Sequence, residues 1–272
     1  MTTVDNFETK KSGNVTHHIF ESVSDFVEIA KLGRKWVDTK ASDFTGYASF
    51  DDALKFVETG WSDGHKEVVK GMSGMIEQRG YLEGDELNPG MSGSVVDVAA
   101  FIEGRPDCYM DFEEIEDSRP VLKVGVQFSA QAKYSSQCFT NRGSAMLSLV
   151  EILEASGIPV ELWGYANTQY GLEIQRIDVL LKPSSEPIDI DRIAFVLAHS
   201  AFYRHIGFAV KSWFWKVKGE TFGDVGRCQS CELSDDAFDV VTPYSSSFLR
   251  DTTSITKWIK ETCKKLGLEV EV

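Results

Sequence analysis

The stretch from Asn141 to Tyr165, NRGSAMLSLVEILEASGIPVELWGY, decides which fold the sequence predicts. Its first part is an amphipathic helix that ends at Gly157, and its last part has the apolar and aromatic composition of a strand. The stretch VLKVGVQFS at 121–129, just before it, has the composition of another strand. A strand, a helix and a strand at this spacing predict a parallel sheet with helices on its faces.

The rest of the second half continues the alternation. RIDVLLKP at 176–183 predicts a strand, and DIDRIAFVLAHSAFYRH at 189–205 predicts a helix. FAVKSWFWKVK at 208–218 predicts a strand, and SITKWIKETCKKLG at 254–267 predicts a final helix. The predicted fold class is therefore α/β, with a mainly parallel sheet flanked by helices over residues 119–272.

Residues 1–118 have a different character. They carry 24 acidic and 11 basic residues, whereas residues 119–272 carry 18 acidic and 17 basic residues. We therefore expect an acidic, mostly helical N-terminal region followed by an α/β domain, with the boundary between residues 118 and 119. Helices closed by glycine are predicted at 22–33, 49–60, 65–80 and 92–108.

The 272-residue chain has an ordinary globular composition, with 42% hydrophobic and 26% charged residues and a net charge of −14. Its polar start is unlike a signal peptide, and no run reaches the roughly 18 apolar residues of a membrane-spanning helix. Five cysteines at irregular spacing suit a reducing cytosol better than a disulfide scaffold. We expect a cytoplasmic protein. The sequence also resembles uncharacterised proteins of tailed phages, which implies a phage-encoded protein in the host cytoplasm.

The stretch around Asn141–Tyr165 resembles the opening of a von Willebrand factor A-like domain. In that family a strand ends in a metal-binding Asp-x-Ser-x-Ser motif, and a helix then leads through a glycine turn into a second strand. The resemblance covers roughly residues 120–215, and it implies a domain that binds proteins. At the motif this chain has Gln127, Ser129 and Gln131, whereas a hard divalent cation prefers carboxylate oxygens. We expect the fold without its metal site.

Two segments of the second half contain no acidic residue. Residues 119–150 have four basic residues, and residues 192–219 have five. The second segment ends in KSWFWKVK at 211–218, where aromatic residues lie between lysines. One interpretation is a core strand that buries Trp213 and Trp215 while the lysines reach solvent. The other is a surface that holds single-stranded nucleic acid by aromatic stacking and positive charge.

The second interpretation defines a candidate site. The loop at 130–142 follows a strand and precedes a helix, so we expect it at the carboxyl end of the sheet, where ligands of open α/β folds bind. We also expect the two acid-free segments to lie side by side and to form one surface. The predicted nucleic-acid-binding residues are Lys133, Tyr134, Arg142, Arg204, Lys211, Phe214, Lys216 and Lys218.

Metal-binding and catalytic patterns are sparse. Cys228 and Cys231 form a Cys-x-x-Cys pair, which is half of a zinc site, but the remaining cysteines do not form a second pair. A redox pair or plain buried thiols are the alternatives. His17 and His18 are adjacent and therefore point to different sides of a strand or helix. The sequence has no nucleophile elbow and no glycine-rich phosphate loop, so we expect neither enzymatic activity nor a cofactor.

Two functions therefore remain open. The first is a binding protein that engages single-stranded DNA and recruits a protein partner, such as a polymerase or replication factor, through its acidic N-terminal region. The second is a protein–protein adaptor of von Willebrand A-like type that does not bind nucleic acid. Binding of an oligonucleotide at low salt distinguishes them, because release of counterions favours nucleic-acid binding most under that condition.

Overall fold

The fold is known from a computed structural model of the chain. It describes residues 7–73, 88–90, 95–96, 105, 109–111, 120–129, 134–220, 237–243 and 252–268. The strands are β1 (Glu8–Ser12), β2 (Val15–Phe20), β3 (Asn88–Gly90), β4 (Val95–Val96), β5 (Tyr109–Asp111), β6 (Leu122–Gln127), β7 (Val160–Tyr170), β8 (Glu173–Lys182) and β9 (Val240–Val241). The helices are α1 (Val23–Gly33), α2 (Phe50–Thr59), α3 (Ser62–Ser73), α4 (Ser136–Ala155), α5 (Ile190–Ala198), α6 (Phe202–Lys218) and α7 (Thr252–Lys265).

Six of the described strands form one mixed sheet in the order β1-β2-β8-β7-β6-β9. The pairs β2–β8, β6–β7 and β6–β9 are parallel, whereas β1–β2 and β7–β8 are antiparallel. The predicted α/β class, with helices packed against a sheet, is confirmed. The sheet is less parallel than predicted, because β7 and β8 are joined by a tight turn at Gly171, which allows only antiparallel pairing. Strands β3, β4 and β5 form a separate small sheet.

The N-terminal region contributes a hairpin to the main sheet. β1 and β2 turn at Gly13, whose φ is 59°, and β2 then pairs with β8 from the second half of the chain. The prediction of a mostly helical N-terminal region did not include β1 and β2. Their sequences, ETKKS and VTHHIF, are too polar to be recognised as strands. The boundary between residues 118 and 119 stays a prediction.

Helix ends follow the sequence closely where a cap is present. The hydroxyl of Ser22 accepts the Asp25 backbone N–H at the start of α1, and Ser49 and Asp52 form a reciprocal capping box at the start of α2. Gly60 ends α2 as predicted. α4 and α7 also confirm predicted helices. The prediction of a helix at 92–108 is wrong at Val95–Val96, which form β4.

The prediction of a strand at 208–218 is wrong, because this segment is the second part of helix α6. α6 has π-helical turns at Phe202–Gly207 and Phe214–Lys218 on either side of an α-helical middle. A strand would place Trp213 and Trp215 on one face, whereas in the helix Trp213 is 8% exposed and Trp215 is 51% exposed. The segment is rich in residues that favour strands, but its buried apolar residues recur at helical spacing. They include Phe202, Ile206, Val210 and Trp213.

The hydrophobic core consists of two clusters on the helical side of the sheet. One joins α4, α5 and α7 to Val124 and Val126 of β6. The other joins α1, α2 and α6 to Ile177 and Val179 of β8 and Phe20 of β2. By the alternation of side chains along a strand, these sheet residues share one face.

α1 and α6 cross closely at Gly33, and we predict that Gly33→Ala destabilises the protein. The residue has helical dihedral angles, φ −82° and ψ −13°, so alanine is compatible with its backbone. A Cβ atom there would lie 2.0 Å from the carbonyl oxygen of Ala209, so the two helices must separate. Urea denaturation should show a loss of about 1–3 kcal/mol in the free energy of unfolding.

The control is Leu32→Ala, which alters the exposed side of the same helix. It should change the free energy of unfolding by less than about 0.5 kcal/mol. Equal stability of Gly33→Ala and the wild type would show that the two helices are not in contact at this point.

Candidate functional site

Arg142 joins the carboxyl end of β6 to the end of α5. Its Nη1 donates to the carbonyl oxygens of Gln127 at 2.6 Å and Phe128 at 3.2 Å. Its Nε and Nη2 donate to the carbonyl oxygen of Leu197 at 3.3 Å and 2.9 Å. A permanently charged guanidinium suits the unpaired carbonyls at the end of a helix. Arg142 was predicted to bind nucleic acid, but it is buried and links two elements of the fold.

The two acid-free segments lie side by side, as predicted. The guanidinium carbons of Arg142 and Arg204 lie 4.9 Å and 5.1 Å from the ring centroid of Phe139. Arg204 also donates to the carbonyl oxygen of Phe44, and its guanidinium carbon lies 4.0 Å from the Phe44 ring centroid. The contact between the segments is nevertheless internal, because Arg142, Arg204 and Phe139 are all buried.

Three further predicted residues are also buried. Lys211 donates from Nζ to Thr168 Oγ1 at 2.6 Å, and this nitrogen lies 5.1 Å from the ring centroid of Tyr203. The ring of Phe214 stacks on that of His18, with a centroid distance of 4.0 Å. Tyr134 belongs to the core cluster around α4. These side chains stabilise the packing of α4 and α6 and are not part of an open surface.

The last turn of α6 presents the exposed part of the predicted site. We call Trp215–Lys218 the basic turn; all four of its residues are exposed. The ammonium of Lys216 lies 3.9 Å from the ring centroid of Trp215. That of Lys218 lies 5.6 Å from Trp213 and 6.0 Å from Phe7. Lys133 lies outside the described residues.

The carboxyl end of β6 differs from a hard-cation site. Gln127 donates from its amide nitrogen to Ser129 Oγ at 2.9 Å, and both residues are buried. The guanidinium of Arg142 lies against the same strand end, where its positive charge opposes a second cation. Within the described residues, no group of three or more His, Cys, Asp or Glu side chains could hold a metal ion.

The structure does not test the prediction of a Cys-x-x-Cys zinc half-site, because Cys228 and Cys231 lie outside the described residues. Cys138 and Cys263 are buried free thiols. Burial raises the pKa of Cys263 to about 11, so its reactive thiolate form is scarce at neutral pH.

A rigid loop with an exposed tyrosine was missed by the sequence analysis. We call residues 42–48 the Tyr47 loop. Tyr47 has a φ of 61°, which is unusual for a residue other than glycine, and its side chain is 76% exposed. The Tyr47 N–H donates to the Ser42 carbonyl at 2.8 Å, and His205 Nε2 lies 3.0 Å from the Ala48 carbonyl oxygen. With the bond from Arg204 to the Phe44 carbonyl, these contacts hold the loop against α6.

His199 lies beneath the Tyr47 loop and is neutral. Burial, and secondly the charge of His205, lowers the pKa of His199 to about 4. Its Nδ1 accepts the backbone N–H of Ala201 at 3.1 Å. A neutral imidazole cannot supply charge to an anionic ligand at neutral pH.

A buried group of polar side chains on the face of the sheet opposite the core was also missed. Arg176 donates from Nε and Nη2 to the two carboxylate oxygens of Asp178 at 2.8 Å and 2.7 Å. His17 Nε2 lies 2.8 Å from Asp178 Oδ2. His17 is half-buried and His18 is fully buried, which confirms that the two histidines point to different sides.

The chain matches, over residues 4–270, the family described as a domain of unknown function, DUF7192. It belongs to this family. No curated protein and no solved structure matches the chain.

No single helix among the described residues is long and apolar enough to cross a membrane. α5 and α6 meet the length and composition of a span only together, as a pair bent by 67°.

Burial separates the internal cations from the surface cations, and we predict that only replacement of an internal one destabilises the protein strongly. Arg142→Met removes the donors of three backbone carbonyls and should lower the free energy of unfolding by about 3 kcal/mol. Lys216→Met removes an exposed charge and should change it by less than about 0.5 kcal/mol. Urea denaturation of both variants is the measurement. If Arg142→Met were as stable as Lys216→Met, Arg142 would have no role in holding β6 and α5 together.

Proposed function

We propose that this chain is a non-enzymatic, cytoplasmic, phage-encoded binding protein that engages single-stranded nucleic acid through the basic turn. The proposal is narrower than the eight-residue surface predicted from sequence, since only Lys216 and Lys218 of that set are described as exposed. The observation that carries it is an exposed tryptophan followed in the same helical turn by two exposed lysines, in a protein of net charge −14.

The chemistry of the basic turn suits a flexible, anionic, stacked ligand. The half-exposed ring of Trp215 offers a face to one base, and the ammonium groups of Lys216 and Lys218 offer charge to the flanking phosphates. The nearest acid along the chain, Glu220, turns inward, where its Oε2 lies 2.7 Å from His18 Nε2. Lys11 on edge strand β1 is also exposed, whereas Lys10 of the same strand pairs with Glu8 at 2.9 Å.

We further propose that residues 120–215 form a degenerate von Willebrand A-like domain. The unit β6–α4–β7 follows the order strand, helix, glycine turn, strand. Gln127 stands where that family has its metal-binding aspartate. Such domains bind proteins, which fits a partner such as a polymerase or replication factor at the acidic N-terminal region.

Fluorescence anisotropy of a labelled oligothymidylate at low salt tests the nucleic-acid proposal. Lys216→Glu combined with Lys218→Glu should weaken binding at least about tenfold, because two attractive charges become repulsive. Trp215→Ala should cost on the order of 1–3 kcal/mol of binding free energy, the value of one stacked base. Both changes should leave the free energy of unfolding nearly unaltered, since these side chains are exposed.

The matched control is Lys66→Glu combined with Lys70→Glu, which makes the same change of charge on exposed positions of α3. This variant should bind the oligonucleotide like the wild type. An absence of binding by the wild type at low salt would refute the proposal, and an equal loss in the control would show a general effect of net charge.

The Tyr47 loop favours a second candidate function, that of a protein–protein adaptor. Tyr47 has an unfavourable backbone φ, which costs free energy of folding. Its ring is 76% exposed, so packing of the side chain does little to offset that cost. Rigid exposed aromatics are frequent anchors of protein interfaces.

Photo-crosslinking tests the adaptor function. A benzophenone side chain placed at position 47 should give a discrete protein adduct in the cells that make this protein. The same group at Leu172, which is 84% exposed, is the control and should give none. In parallel, Tyr47→Gly should abolish binding of the protein identified in the cross-linked adduct. The free energy of unfolding of this variant should stay the same or rise by up to about 1 kcal/mol. Equal adducts from both positions would rule out a specific interface at this loop.

A further inference from the structure

Strand β1 is an open edge of the main sheet. Among the described strands it pairs only with β2, and it stands at one end of the strand order. All five of its residues, Glu8–Ser12, are exposed, so the strand lies at the surface. The outer side of such a strand carries main-chain N–H and C=O groups that can pair with a further strand.

The turn at Gly13 determines which main-chain groups of β1 face outward. Because the turn has two residues, the flanking pair Ser12 and Val15 is hydrogen-bonded. Hydrogen-bonded and non-hydrogen-bonded pairs alternate along an antiparallel ladder, so every second residue from Ser12 back along β1 bonds to β2. The N–H and C=O groups of Thr9 and Lys11 therefore point away from β2, toward the open edge.

The charges of β1 are complementary to those of a second copy of the same strand. If two β1 strands pair antiparallel with Thr9 opposite Thr9, Glu8 of each copy stands opposite Lys10 of the other. These are non-hydrogen-bonded pairs, in which the side chains approach most closely, so the opposite charges attract. Opposed threonines are also a favourable cross-strand pair.

The neighbouring registers place like charges opposite each other. A shift that sets Thr9 opposite Lys11 brings Lys10 opposite Lys10, and a shift in the other direction brings Glu8 opposite Glu8. Like charges directly opposite are destabilising. Lysines on an edge strand discourage pairing with an arbitrary strand, but here they permit one register with a second copy.

We infer that β1 is the interface of a symmetric homodimer, in which two main sheets join edge to edge with Thr9 at the two-fold axis. The interface is isologous, because each copy contributes the same strand. Strands of five residues bury little surface, so the dimer is weak and reversible.

The inference does not rest on the function proposed for the basic turn. The two-fold axis of an antiparallel edge pair is perpendicular to the sheet, so the two α6 helices lie on the same side of the dimer. Dimerisation is measured without nucleic acid, whereas binding of the oligonucleotide is measured with it. Failure of one proposal is thus visible without failure of the other.

Sedimentation equilibrium over a series of protein concentrations tests the inference. The wild type should form a dimer with a dissociation constant below about 1 mM. Lys11→Pro removes an outward N–H and keeps the hydrogen bonds between β1 and β2, so it should weaken the dimer at least about tenfold. Lys11→Ala is the matched control; it keeps that N–H and should dimerise like the wild type.

An exchange of charges tests the register. Lys10→Glu places Glu8 opposite a glutamate of the other copy, so two attractive pairs become repulsive and the dimer should weaken at least about fivefold. Glu8→Lys combined with Lys10→Glu restores opposite charges at the wild-type net charge, and it should restore dimerisation. Lys66→Glu on α3 controls for net charge alone and should dimerise like the wild type.

Urea denaturation of each variant separates loss of the interface from loss of the fold. If Lys11→Pro is unstable, the exchange of charges decides alone. The inference fails if the wild type stays monomeric at about 1 mM. It also fails if a folded Lys11→Pro dimerises as well as Lys11→Ala, or if the exchanged variant is as weak a dimer as Lys10→Glu.

Discussion

The guanidinium of Arg142, shared between the end of β6 and the end of α5, is the contact on which the centre of the fold depends. It satisfies carbonyl groups at the ends of two elements at once. Arg204 and Lys211 act similarly, with a backbone carbonyl and a threonine hydroxyl as acceptors. A carboxylate exposed to this interior would have to be desolvated, which is costly. The acid-free segments therefore lack acids chiefly where α4 and α6 are core helices, and the basic turn is one of the places where they reach the surface.

How much could be predicted from the sequence depended on whether the signal was local. The caps at Ser22 and Ser49 and the glycine after α4 act over a few residues, so α1, α2 and the β6–α4–β7 unit were predicted correctly. Residues 208–218 of α6 were predicted as a strand because their aromatic and branched residues outweighed their helical spacing. For the candidate site, composition pointed to two segments that lie in contact, but it could not tell which side of α6 faces the core, and so it placed Phe214 and Lys211 on the surface.

The group of polar side chains around Asp178 could not be found in the sequence, because it exists only through strand register. His17 and Asp178 are 161 positions apart, and they meet because β2 pairs with β8 in parallel. Arg176 and Asn167 meet because the β7–β8 hairpin places them opposite each other. Neither pairing produces a recognisable motif in the sequence. The adjacent histidines His17 and His18 were noted, but their positions depend on strand β2, which was not predicted because its sequence is polar.

The anion site proposed at the basic turn is compatible with the net charge of −14, because screening limits the reach of distant charges. At physiological salt, interactions between exposed charges fade beyond a Debye length of about 8 Å. Acids of residues 1–118 that lie beyond this distance therefore have little influence on a ligand placed against Trp215, whereas Lys216 and Lys218 would act on it directly. Because these two charges are exposed, added salt should weaken binding at the basic turn strongly.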